Sequence, residues 1–532
     1  MKKELTAKID GRGFVDNTDI IDVILQERCV NDISELLNPT IDALIPYEKL
    51  ININKAWYKL SAALDNGKSI LIIADTDTDG CTAGAIMYRF LKQFTDNVKI
   101  TINEGKEHGI EDFDMSICIA DIVIIVDSIN KAEHYKKFTD EGKEVIVLDH
   151  HLPPSPIEEY QNIILVSSAN DYSNPELSGA GVAWKFCKYC DIQWLTDFAD
   201  DLTDLAATGI IADMCDMSVP ENRYICYTGL KNLQNTGIRT VIGSYVFDSQ
   251  SVSFSIAPLI NACQRMNQNK IALQLFITDL PDKTEAIVDK MKKIKEQQNE
   301  LVEILMPELI QLAETQLDNK CMSFTIDTEY GISGLLANKL MDIYHRPILV
   351  LKHIDGQYAG SMRACGVDNF LAMVNDTRLA TCEGHELAAG FFCDDENYHE
   401  FISEINNRLM NVEFEERCVA DIELGLWQLN PSLIANIKAI NFVSGKGFKP
   451  ITILIRGIAD YEVSSMSKGK HLKIVTDECL IIKWNYQEFD KFQGRPFNVI
   501  GGLNYGRLGR TSYMQVIADE FDFGENESEA LY

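Results

Sequence analysis

The chain has 532 residues, of which 46% are hydrophobic and 24% are charged. A chain of this length exceeds a single hydrophobic core and is expected to fold as several domains. Its 80 acidic and 49 basic residues give a net charge of −31, which excludes nucleic-acid binding through a generally basic surface. Any contact with a nucleic acid must therefore be local.

No apolar run approaches the roughly 20 residues needed to cross a bilayer, and the first residues are polar. We therefore expect a cytoplasmic protein that does not enter the membrane. The 14 cysteines are scattered through apolar segments, which is typical of buried thiols in a reducing compartment. Cys187 and Cys190 form the only CxxC pair, and we assign it no function because no second pair follows at zinc-finger spacing.

The first two predicted domains cover residues 1–67, a helical lead-in, and residues 68–280, an α/β domain. Continuous apolar runs at 69–75, 121–127 and 143–149 predict strands of a parallel sheet that is buried on both faces. Helical spacing of apolar residues from Thr82 to Phe94, after a turn at residues 80–82, predicts a helix between the first two strands. The expected fold class is doubly wound α/β.

Four further segments follow in chain order. Residues 281–316 predict a long connecting helix that is interrupted near Pro307. Residues 317–396 predict a smaller α/β domain, with a helix at 331–344 and a strand at 347–352. Short β-like runs separated by Gly-rich turns over 417–523 predict a small β-barrel, and residues 524–532 predict an acidic, solvated tail.

Carboxylates and imidazoles follow the ends of the three predicted strands. Because the carboxyl ends of parallel strands share one edge of a sheet, these side chains are expected to converge there. So many acids would repel one another unless divalent cations neutralise them. Each residue alone could be a cap, a turn residue or a packed side chain, but the combination favours a metal site. The residues are Asp75, Asp77, Asp79, Asp127, Asp149, His150 and His151.

The mixed set of oxygen and imidazole ligands suits Mn²⁺, with Mg²⁺ or Co²⁺ as alternatives, and it needs no thiolate. Two such ions about 3.5 to 4 Å apart would clamp a phosphodiester, lower the pKa of a bound water and stabilise the leaving oxygen. The sequence therefore predicts metal-dependent phosphodiester hydrolysis with two ions.

Four motifs in this region resemble motifs one to four of the DHH phosphoesterase superfamily. They are Asp75-Thr76-Asp77-Thr78-Asp79-Gly80, Val126-Asp127-Ser128, Asp149-His150-His151 and Gly209-Ile210-Ile211-Ala212-Asp213. The resemblance implies five metal ligands, which are Asp77, Asp79, Asp127, His150 and Asp213. It also implies that Asp149 supports the site and that His151 faces the scissile phosphate, so that Asp149, His150 and His151 are the candidate catalytic residues.

Further segments resemble one branch of that superfamily, the RecJ single-strand exonucleases. The segment 257–266 is similar to one whose arginine, here Arg265, contacts a substrate phosphate; a surface salt bridge is the alternative for this residue. Segments 360–363 and 383–390 resemble the DHH-associated domain. That resemblance implies substrate contacts by Ser361, Arg363 and His385.

Residues 417–523 resemble the oligonucleotide-binding, OB-like barrel that RecJ proteins carry. Its candidate contacts to single-stranded DNA are Lys473, Trp484, Tyr486, Tyr505, Arg507 and Arg510. Aromatic residues in a small barrel more often fill its core, which is the alternative for each aromatic in this set. The fold implied for the whole chain is a parallel-sheet DHH domain, a connecting helix, a DHH-associated domain and an OB-like barrel.

The chain departs from the family pattern at a few positions. Ser128-Ile129 follows the motif-two aspartate, Leu259 and Gln264 stand where arginine and glycine are common, and Glu383 replaces the first glycine of a Gly-Gly-His motif. We expect these departures to affect the grip on substrate more than metal binding.

The resemblance implies a 5′-to-3′ exonuclease that releases mononucleotides from single-stranded DNA in recombination, repair or replication. We expect a monomer whose partners are single-stranded DNA and single-strand-binding, recombination or replication proteins. A phosphodiesterase for short oligonucleotides or cyclic dinucleotides is one alternative, but it needs neither the long helix nor the barrel. A non-catalytic replication scaffold is the other, and the intact set of metal ligands counts against it.

Overall fold

The structure is a computed structural model that describes residues 4–30, 32–103, 109–111, 113–169, 171–414, 417–467, 469–486, 488–492, 494–508 and 511–523. These residues form two compact units. The first unit comprises Ile41–Phe414 with Gly445–Gly447, and the second comprises the described residues of Met1–Thr40, Glu415–Ser444 and Phe448–Tyr532. Among the helices within those ranges, none has both the length and the apolar character that a membrane span requires.

The β-strands of the described residues divide among three sheets. They are β1 (Glu4–Asp10), β2 (Ile70–Ala74), β3 (Val98–Ile102), β4 (Ile122–Val126), β5 (Glu144–Asp149), β6 (Ile164–Ser167), β7 (Met322–Thr325), β8 (Ile348–Ile354), β9 (Gln357–Arg363), β10 (Thr381–His385), β11 (Ala388–Asp394), β12 (Arg417–Glu423), β13 (Thr452–Ile458), β14 (Glu462–Met466), β15 (His471–Val475), β16 (Leu480–Lys483), β17 (Phe497–Leu508) and β18 (Thr511–Asp522).

The α-helices lie mainly in the first unit. They are α1 (Asn17–Glu27), α2 (Ile33–Leu37), α3 (Ile53–Asp65), α4 (Thr78–Leu91), α5 (Lys136–Thr139), α6 (Gly179–Trp194), α7 (Thr203–Ala212), α8 (Pro220–Lys231), α9 (Thr236–Ile242), α10 (Ser249–Ser251), α11 (Ala257–Arg265), α12 (Asn269–Ile277), α13 (Pro281–Glu314), α14 (Ser333–Tyr344), α15 (Phe370–Asn375), α16 (Asp395–Arg408) and α17 (Pro431–Ile440). A π-helical turn at Val252–Ile256 joins α10 to α11.

A parallel sheet in the order β3-β2-β4-β5-β6 forms the centre of the first unit and confirms the predicted α/β fold. The strands β2 and β4 are buried at every residue. Their Ile- and Val-rich sequences suit this position because both faces of a parallel sheet are covered. The runs at 69–75, 121–127 and 143–149 therefore lie on three neighbouring strands.

The helix after β2 begins earlier than the sequence predicts. It starts at Thr78 rather than Thr82, because the carboxylate of Asp77 caps it by accepting a hydrogen bond from the backbone N–H of Gly80 at 2.9 Å. An aspartate side chain at this position satisfies an otherwise unpaired donor of the first turn. As a result, Asp79 lies inside the helix instead of in a loop.

A second sheet of the first unit, in the order β10-β11-β9-β8-β7, follows the long helix α13. This helix continues through Pro307, so the predicted interruption is wrong. Proline removes one backbone hydrogen bond, but the buried side chains of Val302 and Leu309 anchor the helix on either side of it in one hydrophobic cluster. The remaining domain boundaries within this unit stay predictions.

The second unit contains an eight-stranded sheet in the order β1-β12-β13-β17-β18-β16-β15-β14. Its first strand corrects the prediction that residues 1–67 form a helical lead-in, because β1 pairs in parallel with β12, with Leu5 opposite Cys418. Leu5 and Ala420 share a small core with Leu454 and Ile500. A β-rich C-terminal unit is thus present, while its closure into an OB-like barrel stays a prediction. The predicted tail at 524–532 lies outside the described residues.

Candidate metal centre

The carboxyl ends of β2, β4 and β5 bring three aspartates to one level of the sheet. Ala74 pairs with Val126, and Val126 pairs with Leu148. An aspartate follows each of these three residues, so the three aspartates lie at the same edge of the sheet. The three are Asp75, Asp127 and Asp149, which are buried to 6%, 3% and 0% exposure. This arrangement results directly from the parallel register of the strands.

His150 lies beside Asp127. Its Nε2 atom is 3.3 Å from Oδ1 of Asp127 and 3.8 Å from Oδ2 of Asp213. Within the described residues, neither Oδ1 of Asp127 nor Nε2 of His150 has a hydrogen-bond partner, although both atoms are buried. Buried polar atoms without partners are rare in folded proteins and call for a missing ligand. A divalent cation would satisfy both atoms.

The electrostatics of the carboxylates support the same interpretation. Burial, followed by the charges of Asp79 and Asp77, raises the pKa of Asp127 well above its usual range. Burial and the same two neighbours raise the pKa of Asp213 to about 8. Burial also lowers the pKa of His150, which favours the neutral imidazole that a metal requires. The site is therefore short of positive charge.

Two sets of three residues, which share no member, could each hold a metal ion. Within each set, the ligand atoms lie within 4.8 Å of one another. One set is Asp75, Asp77 and Asp127; the other is Asp79, His150 and Asp213. A further set shares Asp127 with the first set and His150 with the second, and it adds Asp149 and His151. Oxygen and imidazole donors of this kind fit Mn²⁺ or Mg²⁺. All five ligands that the sequence suggests lie in the first two sets, and Asp75 joins them.

Asp79 is held by the N-terminus of α6. One carboxylate oxygen accepts hydrogen bonds from Ser178 Oγ at 2.8 Å and from the N–H of Ala180 at 3.1 Å, and the other accepts from the N–H of Gly179 at 2.7 Å. The start of a helix stabilises an anion. These contacts fix the orientation of the Asp79 carboxylate among the candidate metal ligands.

Asp149 supports both histidines that follow it. Its Oδ1 atom accepts the backbone N–H of His150 at 2.7 Å and lies 2.9 Å from Nδ1 of His151. Although burial opposes these shifts, the contact lowers the pKa of Asp149 and raises the pKa of His151 to about 9. The raised pKa favours the protonated form of His151, and its ring is oriented by a buried carboxylate.

A cluster of basic side chains, which we call the cation cluster, lies where α11 meets the second sheet of the first unit. Arg265 ends α11, and its carbonyl accepts the N–H of Gly331 at 2.9 Å, just before α14. The side chain of Arg363 lies close to Gly334 in α14, since a Cβ atom added to this glycine would be 2.8 Å from Nη2 of the arginine. Burial lowers the pKa of both arginines, and the charge of Arg363 lowers that of Arg265 further. Two arginines whose charges act on each other in this way favour the binding of an anion.

The other predicted substrate residues adjoin Arg363. Ser361 is buried, and its hydroxyl lies 2.9 Å from that of Ser333 at the start of α14. His385 pairs with Ala388 on β11, which in turn pairs with Arg363 on β9. His385 is exposed, so that its ring is available to a ligand.

Lys295 on α13 also belongs to the cation cluster, although sequence reasoning did not identify it. Burial, then the charges of Arg265 and Lys339, lower its pKa. No ion pair to a carboxylate involves Lys295, Arg265 or Arg363 among the described residues. Lys295 is one of several lysines on a helix whose polar face is solvated, so only the three-dimensional structure distinguishes it.

The predicted DNA contacts of the second unit differ in exposure. Trp484 is 52% exposed and packs edge-on against His471, whereas Tyr486 packs against Phe492 and Phe521 as a core residue would. Four further predicted contacts complete this set. Lys473 lies on β15, and Tyr505 donates its hydroxyl hydrogen to the carbonyl of Pro431. The backbone of Arg507 lies on β17, whereas Arg510 lies outside the described residues.

Comparison with known proteins agrees with this geometry. Residues 69–210 match the DHH family, N-terminal domain. The chain is 28% identical over 439 residues to the putative SPbeta prophage-derived single-strand DNA-specific exonuclease YorK of Bacillus subtilis, covering 75% of this chain and 76% of that protein. It is 27% identical over 461 residues to the single-stranded-DNA-specific exonuclease RecJ of Bacillus subtilis, covering 81% and 57% of the two chains.

Among solved structures, RecJ from Thermus thermophilus in complex with Mn²⁺ shares the fold, with a TM-score of 0.78 at 23% identity over 99% of this chain and 81% of that one. Residues 69–210, which contain the parallel sheet and its edge of acids and histidines, are thus similar to a DHH-family domain. The chain as a whole is RecJ-like, and the resemblance suggested by its four motifs is confirmed.

Proposed function

We propose that this protein is a metal-dependent exonuclease that hydrolyses single-stranded DNA from its 5′ end and releases mononucleotides. The observation that carries the proposal is the pair of buried, unpartnered atoms, Oδ1 of Asp127 and Nε2 of His150, among converging carboxylates of the described chain. Relatives named as single-stranded-DNA-specific exonucleases support the choice of substrate.

The metal would be held by Asp77, Asp79, Asp127, His150 and Asp213, with Asp75 as an added candidate. When bound, divalent ions polarise a phosphodiester and lower the pKa of a water that attacks it. We propose two ions because the two sets of three ligands have no residue in common. Mn²⁺ is the proposed ion and Mg²⁺ the alternative, since imidazole favours the softer metal.

His151 and Asp149 would act on the phosphate that is cleaved. Since Nδ1 of His151 faces Asp149, Nε2 is the nitrogen left to donate to a phosphoryl oxygen. A protonated His151 would stabilise the negative charge that grows on that oxygen during hydrolysis. Asp149 is the positioning residue that fixes the ring and its tautomer.

The cation cluster would hold the strand next to the scissile bond. Arg265, Arg363 and the exposed His385 offer donors that match phosphate oxygens, and Ser361 with the start of α14 adds hydroxyl and N–H donors. These local charges answer the objection raised by the net charge of −31, because binding needs only one basic region.

The second unit would bind a longer stretch of the strand through Lys473 and Trp484, with Tyr505 and the arginines at 507 and 510 as further proposed contacts. Tyr486 is the weakest of the predicted contacts because its ring packs among phenylalanines. We propose that the protein works as a monomer in the cytoplasm, alongside single-strand-binding, recombination or replication proteins.

The test uses purified protein with Mn²⁺ and a single-stranded DNA labelled at its 5′ end or, in parallel, at its 3′ end. The 5′-to-3′ proposal expects early release of a labelled mononucleotide from the 5′-labelled strand and a shrinking ladder from the 3′-labelled strand. The reverse pattern would overturn the polarity. Cleavage of linear or cyclic dinucleotides without cleavage of long strands would support the phosphodiesterase alternative, and no cleavage at all would support a scaffold.

A further inference from the structure

A hydrogen bond connects two segments that are 188 positions apart in the chain, at the edge of the metal centre. Nε2 of Gln264, on α11, donates to Oγ1 of Thr76 at 3.0 Å. Gln264 is 8% exposed and Thr76 is 1% exposed, so water cannot readily replace either partner. Loss of one partner from such a bond leaves a buried polar group unsatisfied.

Thr76 lies between two members of one candidate ligand set. Asp75 precedes it and Asp77 follows it, and both have ligand atoms close to those of Asp127. The turn is tightly packed, since an added Cβ on Gly80 would lie 2.5 Å from the Cβ of Asp75. A contact to the Thr76 side chain therefore limits how this turn can move.

On the other side of the bond, Gln264 directly precedes Arg265. The carbonyl of Arg265 accepts the N–H of Gly331, and α14 begins two residues later at Ser333. The hydroxyl of Ser333 contacts that of Ser361, two residues before Arg363. A continuous series of hydrogen bonds and short backbone segments thus runs from the motif-one turn to the cation cluster.

We propose that Gln264 is a positioning residue that fixes the motif-one turn relative to Arg265, and so sets the spacing between the metal centre and the cation cluster. The role of the cation cluster in this inference rests on the proposed function. The bond depends on the Gln264 side chain, because a shorter or apolar side chain at this position could not donate to Thr76.

The test is a double-mutant cycle that combines Gln264→Leu with Thr76→Val. Both substitutions remove hydrogen bonding while keeping much of the side-chain volume. Mn²⁺ affinity is measured by titration calorimetry without DNA, and kcat and KM are measured on a single-stranded oligonucleotide. Each single variant is expected to weaken Mn²⁺ binding about tenfold, as loss of a contact that orients metal ligands does, and to raise KM. The double variant is expected to be no worse than the more severe single variant.

Two controls separate positioning from general damage. Thr76→Ser keeps the hydroxyl and should restore Mn²⁺ affinity to within twofold of the wild type, while Gln297→Leu, at an exposed position on α13, should change neither quantity. Gln264→Asn provides a second variant, too short to reach Thr76, if Gln264→Leu fails to fold.

Mn²⁺ affinity within twofold of the wild type in folded Gln264→Leu or Gln264→Asn would overturn the proposal, as would additive losses in the double variant. If the wild type binds Mn²⁺ but does not cleave DNA, the proposed function fails, and the Mn²⁺ titration still decides whether Gln264 positions the motif-one turn.

Discussion

Nε2 of His150 lies 3.3 Å from Oδ1 of Asp127, and both atoms are buried without a hydrogen-bond partner in the part of the chain that the structure describes. The two residues come from neighbouring parallel strands, and each is surrounded by further acids. An arrangement that costs free energy in the bare protein becomes favourable once a cation is shared. Loss of either residue, a change of pH and removal of metal should therefore all act on the same cluster.

His150→Ala and Asp127→Asn should each reduce turnover on single-stranded DNA by about a hundredfold or more, since each removes a proposed metal ligand rather than a supporting contact. Circular dichroism and thermal melting should show folded proteins, because both residues directly follow strands at the edge of the sheet rather than filling its apolar core. Asp140→Ala, at an exposed site of the same unit, is the matched control. A loss of less than about tenfold in either variant would contradict the assignment of ligands.

Thermal stability of the metal-free protein should fall as pH rises. Burial raises the pKa of Asp213 from 3.8 to about 8. Between these two pH values, the folded protein keeps a proton on Asp213 that the unfolded chain has released. The contribution of this group to stability is fully present below about pH 4 and is lost as pH rises through about 8. Melting in EDTA at pH 5.5 and pH 8.5 measures the effect.

Mn²⁺ should raise the melting temperature more at pH 8.5 than at pH 5.5, because the ion replaces the proton on the carboxylates. Asp213→Asn is the control and should reduce the pH dependence of the metal-free protein. An equal Mn²⁺ effect at both pH values would show that metal binding does not compete with protonation here.

Chelation should remove activity, and added metal should restore it. After treatment with EDTA and removal of the chelator, Mn²⁺ is expected to restore cleavage at least as well as Mg²⁺, because an imidazole ligand favours the softer ion. Ca²⁺, which takes oxygen ligands in larger and more flexible sites, serves as the comparison ion. Full activity in protein shown to be metal-free by elemental analysis would rule out metal-dependent hydrolysis.

Local patterns account for the parts of the fold that the sequence predicts. The Ile- and Val-rich runs indicate β2, β4 and β5 because burial on both faces of a parallel sheet leaves a continuous apolar signature. Since parallel strands end at one edge, convergence of the acids follows from the strand assignment. The start of α4 at Thr78 was missed because the choice of cap depends on how Asp77 is oriented.

Features that depend on distant pairs could not be predicted in this way. Nothing in the residues around β1 reveals that its partner, β12, lies more than 400 positions further along. The contact of Gln264 with Thr76 is likewise set by the packing of α11 against the metal centre. Lys295 gains its environment from Arg265 and Lys339, which lie on other helices.

Arg363→Ala should raise KM for single-stranded DNA about tenfold or more, with a smaller effect on kcat, because the role proposed for this residue is to hold phosphate rather than the reacting water. Arg363→Lys should recover only part of the loss, since lysine cannot donate two parallel hydrogen bonds. The slope of log affinity against log salt concentration should decrease in magnitude by roughly one. Arg378→Ala, exposed in the same sheet-containing region, is the control, and an unchanged KM in Arg363→Ala would remove this residue from the substrate site.

Trp484 provides the most direct test of the second unit. Deletion of residues 417–532 is a poor test because it would leave β1 without its partner β12. Trp484 follows β16, is 52% exposed and has Lys473 on the neighbouring strand β15. An exposed indole with a lysine on the neighbouring strand suits base stacking, which contributes about 1 to 3 kcal/mol for each base.

Trp484→Ala should therefore raise the dissociation constant for a long single strand about tenfold, while Trp484→Phe retains most of the affinity. Cleavage of a very short oligonucleotide should not change, because such a substrate occupies only the metal centre and the cation cluster. Trp427→Ala is the matched control, since Trp427 is 63% exposed in the same unit. Equal affinities of the wild type and Trp484→Ala would mean that this surface does not bind the strand. If both tryptophan variants lose affinity equally, the contact is not specific to the surface around β15 and β16.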